Sequence, residues 1–185
     1  MTPPSGAPPQ RYVALLRAIN VGGHVVKMER LRAEFEALEF RDVTTFIASG
    51  NVLFESPLHD TAALEQRVER RLEQSLGYAV ATFLRTPQEL GAIVAGDPFA
   101  QRDNTCTLHV GFLKTAPAQD AIDRLFALRT DLNDFAIRGR EALWLCRTRF
   151  SESSISGAKL ERALAMPATF RNVTTVRKLA VRMNA

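Results

Sequence analysis

Residues 12–54 read YVALLRAINVGGHVVKMERLRAEFEALEFRDVTTFIASGNVLF, and two changes of period within them decide the fold. Tyr12 to Ile19 is apolar except at Arg17, the pattern of a central strand covered on both faces. Asn20-Val21-Gly22-Gly23 breaks it. From Lys27 the period becomes helical: Met28, Leu31, Phe35 and Leu38 share one face, with charged residues between them. Val43 to Ile47 is β-branched and aromatic, Ala48 to Asn51 is a turn, and Val52 to Phe54 resumes the strand, so a hairpin is expected.

Working outward, Asp60 suits the N-cap of a long helix whose stripe is Leu64, Val68, Leu72 and Leu76. Gly77 stops it, and Ala79 to Leu84 is a further strand. Thr86-Pro87-Gln88-Glu89 carries the signature of a capping box opening the next helix, which Gly96 closes. Leu108–Leu113, a helix from Pro117, a hairpin around Gly139, a short helix over Ala158–Ala165, an extended Ala168–Arg171 and a last helix capped by Asn172 complete the chain. The order β-α-β-β-α-β therefore occurs, then recurs without a repeat of sequence. The expectation is an α+β protein of two ferredoxin-like halves with an extra C-terminal helix. Residues 1–10 would be a disordered tail, 11–85 the first half and 86–185 the second.

A chain of 185 residues buries enough surface to need no disulfide or metal. MTPPSGAPPQ has neither the basic start nor the apolar core of a signal peptide, and no apolar run reaches the ~20 residues that cross a bilayer. A soluble, cytoplasmic protein is expected. Cys106 and Cys146 lack CxxC spacing and a nearby histidine pair, so they read as small buried residues in a reducing compartment. No HExxH, GxSxG, Walker or GxGxxG pattern occurs, and His24, His59 and His109 are scattered. Neither a cofactor nor a metal site is expected. With no visible nucleophile–base pair, no enzyme activity is assigned.

Ferredoxin-like strand order is 4-1-3-2, which makes strands one and two parallel. The loop after strand one and the turn between strands two and three then share one end of the sheet, and Gly77-Tyr78 arrives there too. Arg17, Asn20, Gly22, Gly23 and Lys27 are thereby brought toward Ser49, Gly50 and Asn51. Helix N–H groups, glycines and cations at one end suit a small anionic ligand or nucleotide. Singly, each residue also has a scaffold explanation: Gly22-Gly23 a tight turn, Ser49-Gly50-Asn51 hairpin chemistry, Arg17 a snorkelling edge. The alternative is nucleic-acid binding. Residues 136–185 carry +7 against −3 for the remainder, and Arg171, Arg177, Lys178 and Arg182 lie there. Phe46, Phe54 and Trp144 are the candidate stacking aromatics, and they suit a core equally well. Twenty of the 24 basic residues are arginine, so compositional bias also accounts for the charge.

Ala14–Gly23 (ALLRAINVGG), Lys27–Leu31 (KMERL), Ser49–Val52 (SGNV) and Phe170–Val176 (FRNVTTV) resemble the family called domain of unknown function 1697. The resemblance implies an α+β fold and no established reaction, substrate or cofactor. The family usually has Gly where this chain has Ala18, and Trp where it has Val173.

Overall fold

Along the first half the chain forms β1 (Gln10–Leu16), α1 (Met28–Glu36), β2 (Arg41–Thr45), β3 (Asn51–Ser56), α2 (Thr61–Leu76) and β4 (Thr82–Arg85). A helix α3 (Pro87–Ala95) follows. Then come β5 (Thr107–Phe112), α4 (Gln119–Phe126), β6 (Asn133–Arg138), β7 (Glu141–Cys146), α5 (Gly157–Leu164), β8 (Thr169–Asn172) and α6 (Val173–Met183). This computed structural model describes residues 8–19, 25–47, 50–148 and 153–185. Of the expected tail, residues 1–7 lie outside them, and Gln10 already pairs with Ser56.

The strands make two four-stranded antiparallel sheets, ordered β2-β3-β1-β4 and β6-β7-β5-β8. Both are the 4-1-3-2 order of a ferredoxin-like unit, so the α+β fold with a twice-used β-α-β-β-α-β pattern is realised. Residues up to Leu90 group with Val181–Ala185 as one compact unit, and Gly91–Ala180 form the second.

In the first unit, Tyr12, Ala14 and Leu16 join Val52, Phe54 and Leu84 on the face packed by Leu31 and Phe35 of α1 and Leu64, Val68 and Leu72 of α2. Val13, Leu15, Leu53 and Phe83 alternate with them and are buried as well. That is why YVALL reads as a continuous apolar run rather than an alternating one. In the second unit, Trp144, Phe135 and Ala142 pack with Leu125 of α4 and with Leu160 and Leu164 of α5.

The local signals act as their chemistry dictates. Asp60 accepts from the Ala63 amide at 3.1 Å, and Gly77 leaves α2 at φ 80°. Thr86 and Glu89 close the capping box: the Thr86 amide donates to Glu89 at 2.8 Å, and the Glu89 amide to Thr86 at 3.3 Å. The fourth strand is later and shorter than its apolar run suggested, because only Thr82–Arg85 pairs regularly with β1.

Ala18 stands at φ 59°, just past the end of β1. An L-residue with a Cβ pays roughly 1–2 kcal/mol in this left-handed region, and glycine avoids that cost. The structure thus explains the glycine that the resembling family usually carries here. Ala18→Gly is expected to stabilise the first unit by about 1 kcal/mol, after the greater chain entropy of glycine is subtracted. A urea midpoint that stays the same or falls, with an unchanged slope, would contradict this.

Candidate functional site

Two backbone hydrogen bonds tie three segments together at one end of the first sheet. The Leu16 amide donates to the Gly50 carbonyl at 2.8 Å, and the Arg17 amide donates to the Ala81 carbonyl at 2.9 Å. The exit of β1, the β2–β3 turn and the approach to β4 therefore meet. The first turn of α1 is held at the same end, because Arg30 donates to the Ser75 carbonyl at 2.5 Å, two residues before Gly77. Beneath it, Glu34 accepts from the Ser75 hydroxyl and from Arg71 at 2.6 Å. Burial opposes ionisation of Glu34, but those hydrogen bonds and the charges of Arg71 and Arg30 outweigh it and lower its pKa.

Of the residues expected at this end, Arg17 and Lys27 are exposed. Lys27 occupies the N-cap of α1 in extended conformation without a side-chain cap bond. Gly50 and Asn51 serve the scaffold instead. Gly50 has φ 70°, the left-handed conformation that favours glycine, and a Cβ on it would also sit tightly, within 3.2 Å of Ile19 and Leu16. Asn51 is fully buried, and its amide donates to the Phe46 carbonyl at 3.0 Å, locking the turn. Asn20, Gly22, Gly23, His24 and Ser49 lie outside the described residues. Sequence reading overlooked Ile47, which is 52% exposed at φ 51°. A β-branched residue in that region is a true outlier, and such strain gathers at functional turns.

The basic C-terminal residues differ in burial. Arg171 points into the protein rather than to solvent. It is 9% exposed, burial pulls its pKa down to about 10, and it donates to Thr169 at 2.8 Å and to the Phe170 carbonyl at 2.9 Å. Its place on β8 beside Val110 of the central strand turns it inward. Arg177 and Lys178 are exposed on α6, and Arg182 lies 5.7 Å from the centre of the half-buried Phe46 ring. Phe54 and Trp144 are core residues, not base-stacking platforms. Phe54 stacks on Phe40 with centroids 4.4 Å apart, and Trp144 donates its indole N–H to Asn133 at 2.9 Å.

Histidine and cysteine chemistry is equally dispersed. His59 is exposed, while His109 packs against Trp144 with ring centroids 5.1 Å apart. Cys106 and Cys146 are free thiols, the second fully buried. No group of three His, Cys, Asp or Glu residues is placed to hold a metal among the described residues. Nor is any helix there long and apolar enough to cross a membrane. Sequence reading also missed Asp97, which gathers Arg102 at 2.6 Å and Arg177 at 3.6 Å. Eighty residues separate Asp97 from Arg177, so no local pattern could have revealed the cluster.

The fold defines a class: an α+β protein built from two ferredoxin-like units, with Arg17 exposed just past the first strand and Lys27 exposed at the start of α1. The chain belongs to the family described as protein of unknown function (DUF1697), whose model matches residues 10–143. Its structure is similar to that of a conserved bacterial protein from Streptococcus pneumoniae, with a TM-score of 0.77 and 22% identity. That match covers 96% of this chain and 100% of the other, and at this identity it speaks for the fold alone. No curated protein matches. The family and the shared fold support no specific function.

Proposed function

We propose that this protein binds a small anionic ligand, a phosphorylated metabolite or nucleotide, at the end of the first sheet where β1 exits. The observation that carries the reading is the meeting of three chain segments there, with Arg17 and Lys27 exposed beside a start of α1 that has no side-chain cap. Unbonded N–H groups at a helix start and nearby cations attract phosphate oxygens. Asn20, Gly22, Gly23 and Ser49 belong to the proposal on the strength of the sequence. Gly50 and Asn51 enter it as the residues that shape the turn. Ile47, with Phe46 beside it, would offer an apolar surface to the organic part of the ligand. The reading includes a cytoplasmic location, which the two free thiols favour.

The nucleic-acid alternative, through Arg171, Arg177, Lys178 and Arg182, has weaker support. Arg171 is buried, and two of the three candidate aromatics are in the core.

The test is calorimetric titration of adenosine monophosphate and inorganic pyrophosphate into the wild type and Lys27→Ala. Removing one charge-assisted hydrogen bond is expected to weaken binding of the preferred probe about tenfold. Neither probe binding saturably, or equal affinity in both proteins, would refute the site.

A further inference from the structure

The second unit contains a cleft that the proposed function does not use. It has a volume of about 370 Å³, within the range of small-ligand sites. The beginning of β5, the segment before it and the junction of β8 with α6 enclose it. Its walls include Arg102, Asn104, Thr107, Asn172, Thr174 and Arg177.

Its two arginines converge on a buried charge. The Asp97 side chain is 4% exposed, and both of its oxygens are engaged. Oδ1 accepts from the Phe99 amide at 2.9 Å, while Oδ2 accepts from Arg102 at 2.6 Å and faces Arg177 at 3.6 Å. Arg102 is itself only 12% exposed and also donates to the Phe99 carbonyl at 2.8 Å. Burying an ion pair is an inefficient way to stabilise a fold, because desolvation consumes most of the Coulombic gain. It is an effective way to fix the direction of guanidinium groups.

Arg102 and the half-exposed Arg177 share the single carboxylate of Asp97, which fixes both guanidinium groups at the wall. The other acid at the rim is Asp103, and its carboxylate is already turned to the Thr105 amide at 2.8 Å. Asn172 uses its carbonyl oxygen on the Thr174 amide at 2.8 Å, so its NH₂ group remains as a donor. Arginines, amide groups and hydroxyls beside two acids that are both already engaged make the lining donor-rich. Donors in excess of acceptors, around a cation held in place, match an oxyanion.

We propose that this cleft binds the phosphate group of a small phosphate monoester, with Arg177 as its principal contact and Asp97 as the residue that positions both arginines. It shares no residue with the site proposed in the first unit.

Cys106 supplies a local reporter. It lines the cleft and is half-buried, whereas Cys146, the other cysteine of the chain, is fully buried. A small alkylating reagent applied to the native protein should therefore modify Cys106 selectively. The rate of that modification is measured as inorganic phosphate is raised, with ionic strength held constant by chloride. The expected result is saturable slowing in the wild type, by at least about threefold, because an occupied anion site covers the thiol and keeps the reagent from it. Arg177→Gln should abolish the slowing, whereas Lys27→Ala should retain it. Circular dichroism spectra matching the wild type would show that Arg177→Gln is folded, as expected for an exposed helical position. The proposal is overturned if phosphate leaves the rate unchanged, if Arg177→Gln is protected like the wild type, or if Lys27→Ala removes the protection.

Discussion

Trp144→Ala is expected to destabilise the second unit by about 3–5 kcal/mol, a large share of the whole stability of a domain. The indole is 1% exposed on β7, opposite Phe135 on one side and His109 on the other. Removing it forfeits apolar burial and leaves a void between the sheet and its helices, since backbone on three adjacent strands cannot collapse into the space. It also withdraws the donor that satisfies Asn133, whose side-chain oxygen would retain only the 3.4 Å bond from Ser153. Trp144→Phe isolates that second contribution. It keeps most of the packing and should cost about 1–2 kcal/mol, the range for a lost buried hydrogen bond with partial loss of volume. Denaturant unfolding followed by far-UV circular dichroism measures both. The chain contains one tryptophan, so wild-type fluorescence follows the second unit while dichroism follows both. A loss below about 1.5 kcal/mol in Trp144→Ala would mean that the core around β7 can rearrange, contrary to the packing density of protein interiors.

The second large effect is a pH dependence centred on the neighbour of that indole. Burial against Trp144 lowers the pKa of His109 to about 4 from its ordinary value of 6.5. Folding therefore favours the neutral imidazole. Above the unfolded pKa, neither state binds the proton, and the contribution of His109 to stability is fully present. As pH falls below about 6.5, the unfolded chain takes up a proton that the folded chain refuses, and stability is lost. The loss continues until about pH 4, where the folded imidazole also protonates. Over the whole window it amounts to roughly 3 kcal/mol. Carboxylates titrate in the lower part of the same window, so the informative quantity is a difference. Unfolding midpoints of wild type and His109→Leu between pH 7.5 and 4.5 should diverge, with the wild type falling more steeply. Parallel curves would show that the imidazole is already protonated, or solvated, in the folded protein.

The two effects meet at one place in the second sheet, and neither residue's surroundings were legible along the chain. His109 interrupts an otherwise apolar strand, LHVGFL, and could have faced either side. Trp144 sits in ALWLC, where every position is apolar, so alternation gave no face to assign. Register settles both: His109 pairs with Trp144 and Trp144 with Phe135, which places the three across neighbouring strands. Arg171 teaches the same lesson in reverse. Among the basic residues of the C-terminal quarter it looked like surface charge, but its strand partner is Val110, and that pairing carries it inward.

What the sequence determined by itself was whatever depends on neighbours a few residues apart. Helical stripes, the Asp60 and Asn172 caps, the Thr86–Glu89 capping box and the glycine at the end of α2 were all legible, because each interaction spans four residues or fewer. The twice-repeated β-α-β-β-α-β order followed from those elements, and strand order then brought Arg17 and the β2–β3 turn to one end of the sheet. Tertiary structure alone decided which side chains at that end face solvent. Asn51 turned inward to lock its own hairpin, while Arg17 and Lys27 stayed exposed. It alone brought Arg177 to Asp97, since a contact across eighty residues depends on how strands and helices are registered, not on any spacing along the chain. Local chemistry chooses the elements. Which charges end up buried, paired or at the surface is chosen only when the elements pack.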